Sequence, residues 1–228
     1  MEAITVEFPL SGEWVAPNTP GHKVPSHGTD QLGQTYAYDF MQIDWKRPTG
    51  YKFFYDSMAF YFMAGVKLEH CYGWSKDILS PISGEVIECR DGWPERKRVN
   101  IVTDMLALLK NSLLINPRGN EGLRPALGNY MIIKGEEAYA FLAHARTGSI
   151  SVEVGDIVKP LQKIAEVGHS GNSTAPHLHF HLMDNPNLLE AKGLPCCFRE
   201  YEVFENKTWV KVANGIPGRR DRIRANIA

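Results

Sequence analysis

Three histidines alternate with apolar residues in Pro176-His177-Leu178-His179-Phe180-His181-Leu182. Alternation is the period of a β-strand, and residues two apart on a strand share one face, about 7 Å from each other. His177, His179 and His181 therefore point one way, and Leu178, Phe180 and Leu182 the other. The chain has 8 histidines, and a half-exposed strand has no reason to collect three of them so closely. A row of imidazoles on one strand face can hold a metal or move a proton.

The flanking segments position that strand. Residues 168–174 form a Gly/Ser-rich loop by composition, so the histidine strand enters from what could be the wall of a cleft. Gly155-Asp156 is a turn pair between two β-rich runs. Residues 138–150 read as a strand ending near His144, then a turn at Thr147-Gly148. Far upstream, residues 36–40 read as a short strand with Asp39 near its end. A loop carrying His22, His27 and Asp30 precedes it.

The ordered string Ala143-His144 … Gly148-Ser149-Ile150 … Val154-Gly155-Asp156-Ile157-Val158 … Gly168-His169-Ser170-Gly171-Asn172-Ser173 … His177-Leu178-His179-Phe180 resembles the C-terminal half of the lysostaphin-type zinc metallopeptidases. That family cuts peptide bonds in peptidoglycan or its cross-bridges. Tyr72-Gly73-Trp74 … Ile78-Leu79-Ser80-Pro81-Ile82-Ser83-Gly84-Glu85-Val86-Ile87 is similar to the strand–turn–strand that follows the family's metal Asp. The resemblance spans residues 25–183, interrupted by insertions. It implies a zinc-dependent endopeptidase with one Zn2+ held by His27, Asp39 and His179. It also implies His144 and His177 as the unligated pair, one the general base and the other the oxyanion stabiliser, in an order that stays open. The chain departs from the commoner pattern of a His four residues before the Asp, because that position is Thr35. The first ligand must then come from the preceding loop. His27 matches a branch with a loop-borne His, and His22 is its competitor. No His-Glu-x-x-His helix motif occurs, so a Glu base of the helical zinc proteases is not expected.

The other candidates are read more plainly. His181 is expected as an outer or solvated strand residue, and His169 as lining the cleft. His70 beside Cys71 lacks a second pair at zinc-ribbon spacing. Asp30 reads as a polar loop residue. Tyr36, Tyr38 and Asn172 are candidates for the groove wall. The four cysteines suit free thiols better than a disulfide framework, since Cys196 and Cys197 are adjacent.

Composition sets limits. With 43% hydrophobic and 22% charged residues, the chain is ordinary for a globular protein. A net charge of −1 gives no reason to expect nucleic acid or an anionic membrane as partner; the partner expected is a peptide or peptidoglycan. No run is long enough for a transmembrane helix, and the first residues carry no signal-like pattern. At face value the reading is cytoplasmic, whereas the family implies the cell envelope.

The expected fold is mostly β: an antiparallel sheet folded into a two-layer or barrel-like sandwich with few helices. Residues 1–184 are expected as one β-rich metallopeptidase domain, with insertions at about 41–70 and 91–130. Residues 185–228 are a C-terminal extension. Its strands by pattern are 201–204 and 208–212, after a short helical turn at 188–192 and before a basic end (Arg219, Arg220, Arg222, Arg224) read as a solvated tail. The first insertion is aromatic-rich. The second holds the best helix by propensity, residues 104–114, followed by a loop at 118–128. The loops at 21–34, 41–77, 115–128 and 168–175 are expected to wall the site. Two other classes fit some features. A non-catalytic binding or regulator module of the same fold would lack metal ligands. A biotinyl, lipoyl or phosphate carrier would need a modified Lys or His in a setting this chain does not offer.

Overall fold

The computed structural model describes residues 2–48 and 50–225. β-branched and aromatic runs broken by Gly and Pro give a mostly β architecture, as the alternation predicts. The main sheet has 12 strands. Its path runs from Ile4–Val6 through Cys196–Glu205, Ile223–Ala225, Gly12–Asn18, Tyr38–Met41, Leu178–Met183, Tyr139–Ala145, Asn129–Lys134 and Gly84–Arg90 to Ile157–Val158. All neighbours on this path are antiparallel except the first pair, which is parallel. Among the described residues the sheet does not close into a barrel.

Register is what builds the site. The histidine strand Leu178–Met183 lies between Tyr38–Met41 and Tyr139–Ala145. His179 is opposite Asp39 on one side and Ala143 on the other, and His181 is opposite Phe141. Directly opposed residues share a face, so His179, Asp39, His181 and Phe141 fall together. A one-residue slip would send all of them to the opposite face. The alternate residues prevent that slip. Leu178, Phe180, Leu182, Tyr38 and Phe40 are fully buried in the main core with Phe198 and Trp14. Emptying one such aromatic site costs about 3–5 kcal/mol.

Helix α1 (Met58–Met63) and helix α2 (Ile101–Leu114) belong to the two insertions. The side chain of Asn100 caps α2 by accepting from the backbone N–H of Val102 and Thr103, so the helix begins about one turn before the span propensity suggests. The first insertion's Phe54, Tyr61, Val66, Leu68 and Cys71 form a cluster of their own with Val99 of the second. All four cysteines are free thiols.

Two expectations are corrected. Residues 118–128 are not a plain loop: Asn120–Leu123 is a 3-10 turn and Arg124–Leu127 a short helix, started by Pro125, which suits a first helical turn. The short turn expected at 188–192 is present, with the backbone N–H of Ala191 donating to the Asn187 carbonyl at 2.9 Å. The basic end is not a solvated tail, because Ile223–Ala225 pairs with Gly12–Asn18 and Cys196–Glu205. Arg222 there binds Glu13 through Nε and Nη2 and lies over the rings of Trp45, Phe204 and Trp209. Its cation thus has both a carboxylate and aromatic faces to sit on.

Candidate metal centre

His27 reaches the sheet from a loop that is tied back on itself. The backbone N–H of Ser26 donates to the Thr35 carbonyl at 3.0 Å. Between these points the chain passes through left-handed conformations at Leu32 (φ 57) and Gly33 (φ 73). His27 Nδ1 lies 3.0 Å from Ser26 Oγ, and Ser26 Oγ in turn donates to the Gln34 carbonyl at 3.4 Å. Ser26 Oγ thus partners Nδ1 and turns the Nε2 edge of His27 toward the cluster. That nitrogen is 2.9 Å from Asp39 Oδ2.

His179 presents its other nitrogen. Its Nε2 is 3.2 Å from His181 Nδ1, a hydrogen bond between rings that leaves His179 Nδ1 facing Asp39 Oδ1 at 2.9 Å. Asn18 Nδ2 donates to Asp39 Oδ2 at 2.7 Å and fixes the carboxylate plane. One donor atom from each of His27, Asp39 and His179 lies within 4.8 Å of the others. Two imidazole nitrogens and one carboxylate oxygen are the donor set zinc takes in three-ligand sites, so the residues present fit such an ion. Outer partners of this kind, Ser26 and His181, fix which nitrogen faces the centre.

Burial alone would raise the Asp39 carboxyl. The facing His177 and the hydrogen bonds from His179 and His27 outweigh it and hold Asp39 well below the usual carboxylate range. Burial pushes His179 down, against the pull of Asp39.

Two further imidazoles flank the cluster. His144 is the extra residue of a β-bulge: its neighbours Ala143 and Ala145 pair with Tyr130 and Asn129, and its own φ is 65°. A non-glycine residue in the left-handed region is strained, and bulges re-aim side chains. His144 Nδ1 donates to the Ser170 carbonyl at 2.9 Å, so Nε2 is left as the acceptor. Burial pushes its pKa well below the ordinary histidine value, helped by neighbouring His177 and His179. The rings of His144 and His177 are 4.7 Å apart. His177 Nδ1 donates to the Ala175 carbonyl at 2.7 Å, and its Nε2 lies 3.6 Å from Asp39 Oδ1.

These groups open into a cavity of about 320 Å3, whose walls include Leu32, Ala126, Phe141, Asn172, Thr174 and Leu188. The expected walls at 21–34, 115–128 and 168–175 each contribute; residues 41–77 do not line it. Asn172 is placed in the wall as expected, but Tyr38 is fully buried and donates to the Cys196 carbonyl at 2.8 Å, and Tyr36 is not among the lining residues. His22 is away from the cluster, with Nε2 3.4 Å from Arg219 Nη1. His70 pairs with Asp56. His181 is buried rather than solvated.

His169 does not line the cleft. It is fully buried behind His177, in a polar chain that sequence reasoning missed. His169 Nδ1 is 3.0 Å from Ser173 Oγ, which is 3.1 Å from His177 Nδ1. On its other side, Arg96 lies between His169 Nε2 (3.0 Å) and Asp104 Oδ1 (2.7 Å), and also donates to the carbonyls of Gly171 and Ser173. Asp104 is on α2, in the second insertion, and no local spacing links it to His169.

A His–Asp–His cluster flanked by two further imidazoles, set on an open antiparallel sheet, is the class of centre this fold builds. Comparison with known proteins finds similar sequences and structures. Residues 118–190 match the family model Peptidase family M23. That stretch holds His144, His177 and His179, and the matched family is the one the lysostaphin-type resemblance points to; His27 and Asp39 lie before it. Over 59 residues the chain is 39% identical to Peptidoglycan DD-endopeptidase ShyB of Vibrio cholerae, covering 26% of this chain and 14% of that relative. Solved structures with a similar course include the catalytic domain of prophage-encoded M23 protein EnpA from Enterococcus faecalis (16% identity, 80% of this chain and 88% of that one, TM-score 0.42). Another is the catalytic domain of the antimicrobial peptidase lysostaphin from Staphylococcus simulans (16% identity, 83% and 88%, TM-score 0.38).

Proposed function

We propose that this protein is a zinc-dependent endopeptidase acting on peptide bonds of peptidoglycan stem peptides or cross-bridges. The observation that carries the reading is the convergence of His27, Asp39 and His179 donor atoms within 4.8 Å, in a cavity that also exposes His144 and His177. The M23 match over residues 118–190 and the name of the Vibrio relative support the substrate class.

His27 Nε2, an Asp39 oxygen and His179 Nδ1 would hold the ion. When bound, zinc supplies a more acidic water and a Lewis acid for a carbonyl oxygen. The chain's own residues do the rest. His144, kept neutral by burial and with Nδ1–H tied to Ser170, accepts the proton of the attacking water on Nε2. His177, with Nδ1–H tied to Ala175, presents Nε2 beside the Asp39 carboxylate. That nitrogen serves as the hydrogen-bond donor to the carbonyl oxygen as negative charge develops. His181 and Ser26 keep the ligand tautomers fixed, and the apolar wall of Leu32, Phe141 and Leu188 limits water.

Elemental analysis of the purified protein beside Asp39→Ala and His179→Ala tests the centre. The wild type should carry about one zinc per chain, both variants far less, and only the wild type should release fragments from purified peptidoglycan. A wild type that stays metal-free after zinc is supplied would overturn the reading in favour of a non-catalytic module.

A further inference from the structure

Helix α2 is built inside out. Its two buried residues are Asp104 and Asn111, seven apart and so on one face. Asp104 has no exposed surface and is held by Arg96 and by the backbone N–H of Asn100. Asn111 donates to Asn172 of the pocket wall at 2.9 Å. These bonds fix the helix's rotation, because turning it would strand a buried carboxylate without its partners. The consequence is that Val102, Met105, Leu106, Leu109 and Leu113 form a stripe that faces solvent, with Leu113 80% exposed. An amphipathic surface helix normally shows the opposite arrangement.

The stripe does not stand alone. Asn100 Nδ2 donates to the carbonyls of Tyr61 and Phe62, joining the start of α2 to α1. There Phe60, Phe62 and Met63 are exposed, Met63 at 86%. Single exposed apolar residues need no explanation, but a contiguous apolar surface marks a place where something binds.

Charge decides what. Residues 57–66 carry no charged side chain. Residues 97–118 carry Lys97, Arg98, Lys110 and Arg118, all exposed, and a single acid, Asp104, which is buried. Every exposed charge on these two stretches is therefore positive. A net charge of −1 for the whole chain conceals this segregation, which is why composition gave no reason to expect an anionic surface. A second copy docking the same patch would bring like charges together. Leucine, methionine and phenylalanine ringed by Lys and Arg are the chemistry of a helix lying in the interface of a bilayer, and anionic headgroups attract such cations.

We propose that the α1–α2 surface docks on an anionic lipid bilayer, with the stripe in the headgroup region and Asn111 keeping the pocket wall beside the membrane. The mode is peripheral: among the described residues no helix is long and apolar enough to cross a membrane. It is independent of the metal centre.

Flotation of the full chain tests this, with vesicles of phosphatidylcholine alone and with about one third phosphatidylglycerol. The wild type should float with the anionic vesicles and bind the neutral ones at least roughly tenfold less well, since each cation near such a surface is worth about a fivefold change. The Leu106→Gln/Leu109→Gln/Leu113→Gln variant should lose binding while keeping its circular dichroism and thermal transition. Lys97→Gln/Lys110→Gln, which leaves the stripe intact, should weaken binding by roughly tenfold to thirtyfold and provides the answer if the leucine variant misfolds. The proposal is overturned if the wild type stays in solution at every lipid concentration, or if it binds both vesicle types equally. It is also overturned if sedimentation without lipid shows a dimer that the leucine substitutions abolish, since a second copy would then be the occupant.

Discussion

The histidine pocket and the α1–α2 surface use similar side chains in opposite orientations. In the pocket, His179 and His181 face a cavity while Phe180 and Leu178 fill the core behind them. On α2, Asp104 and Asn111 face the protein while Leu109 and Leu113 face solvent. Both arrangements are fixed by where a buried polar group finds its partner. Asp39 is met by three hydrogen-bonding side chains across the sheet, and Asp104 by Arg96 at the back of the pocket. An unpaired buried carboxylate is so costly that apolar burial yields to it locally. The two regions also meet, through Arg96, His169 and Ser173, at His177.

The sharpest separation between the regions lies in turnover. His144→Ala should lower peptidoglycan hydrolysis by roughly 10²–10⁴-fold while zinc content stays at the wild-type level, because His144 is not among the three clustered donors. The leucine-stripe variant assayed on a soluble peptide fragment should match the wild type. Retained activity in His144→Ala would remove it from the reaction, and a lost metal would move it among the ligands.

Stability gives the next largest contrast, and it reverses the usual expectation for polar and apolar side chains on a helix. Asp104→Ala leaves Arg96 and His169 facing an empty site and should cost about 3–5 kcal/mol. Leu113→Ala, in the last turn of the same helix but exposed, should stay within about 0.5 kcal/mol. Urea unfolding of the two variants measures both. Equal losses would mean that the helix face is not oriented by Asp104.

The same contrast governs what could be read from the sequence. Alternation alone placed the histidine strand and put Leu178 and Phe180 on its buried side, because a strand's period of two leaves only two faces to choose from. The mostly β class was legible for the same reason, whereas Asp39 was singled out through the family resemblance. His27 was reachable only through the family resemblance, with His22 as its rival; what brings it to Asp39 is the Ser26–Thr35 closure, a loop conformation with no periodic signal. Nothing marked His144 as the bulged residue. The expected helix at 104–114 was found by propensity, but propensity does not say which face turns inward. That depends on Arg96, which lies before the helix, and on Asn172 and His169, which are distant in sequence from the positions they hold. Arg222 and Arg224 were misread for a related reason: a basic cluster looks solvated until Glu13, Glu202 and Trp209 are known to stand beside it.

The smallest expected difference is in the pH dependence of folding of the metal-free chain. His169 is fully buried, and burial lowers its pKa below the ordinary histidine value, against the pull of Asp104 and with Arg96 adding to the shift. In the unfolded chain the same imidazole takes up a proton near its ordinary value of about 6.5. Between the two values the unfolded state binds more protons, so stability rises with pH across that window. The contribution is complete above about pH 6.5 and is lost as pH falls toward the folded value. His144 is depressed in the same direction, chiefly by burial, and adds to the slope. Urea titrations of chelator-treated protein between about pH 5 and pH 8 should therefore show acid weakening. In His169→Gln the slope should drop by up to about one proton, while Leu113→Ala, on the outward face of α2, should keep the wild-type slope. An unchanged slope in His169→Gln would mean that His169 titrates alike in the folded and unfolded chain, and a steeper one that it is protonated in the fold. In that second case the chain from Asp104 to His177 would be a paired ionic network rather than a neutral relay of hydrogen bonds.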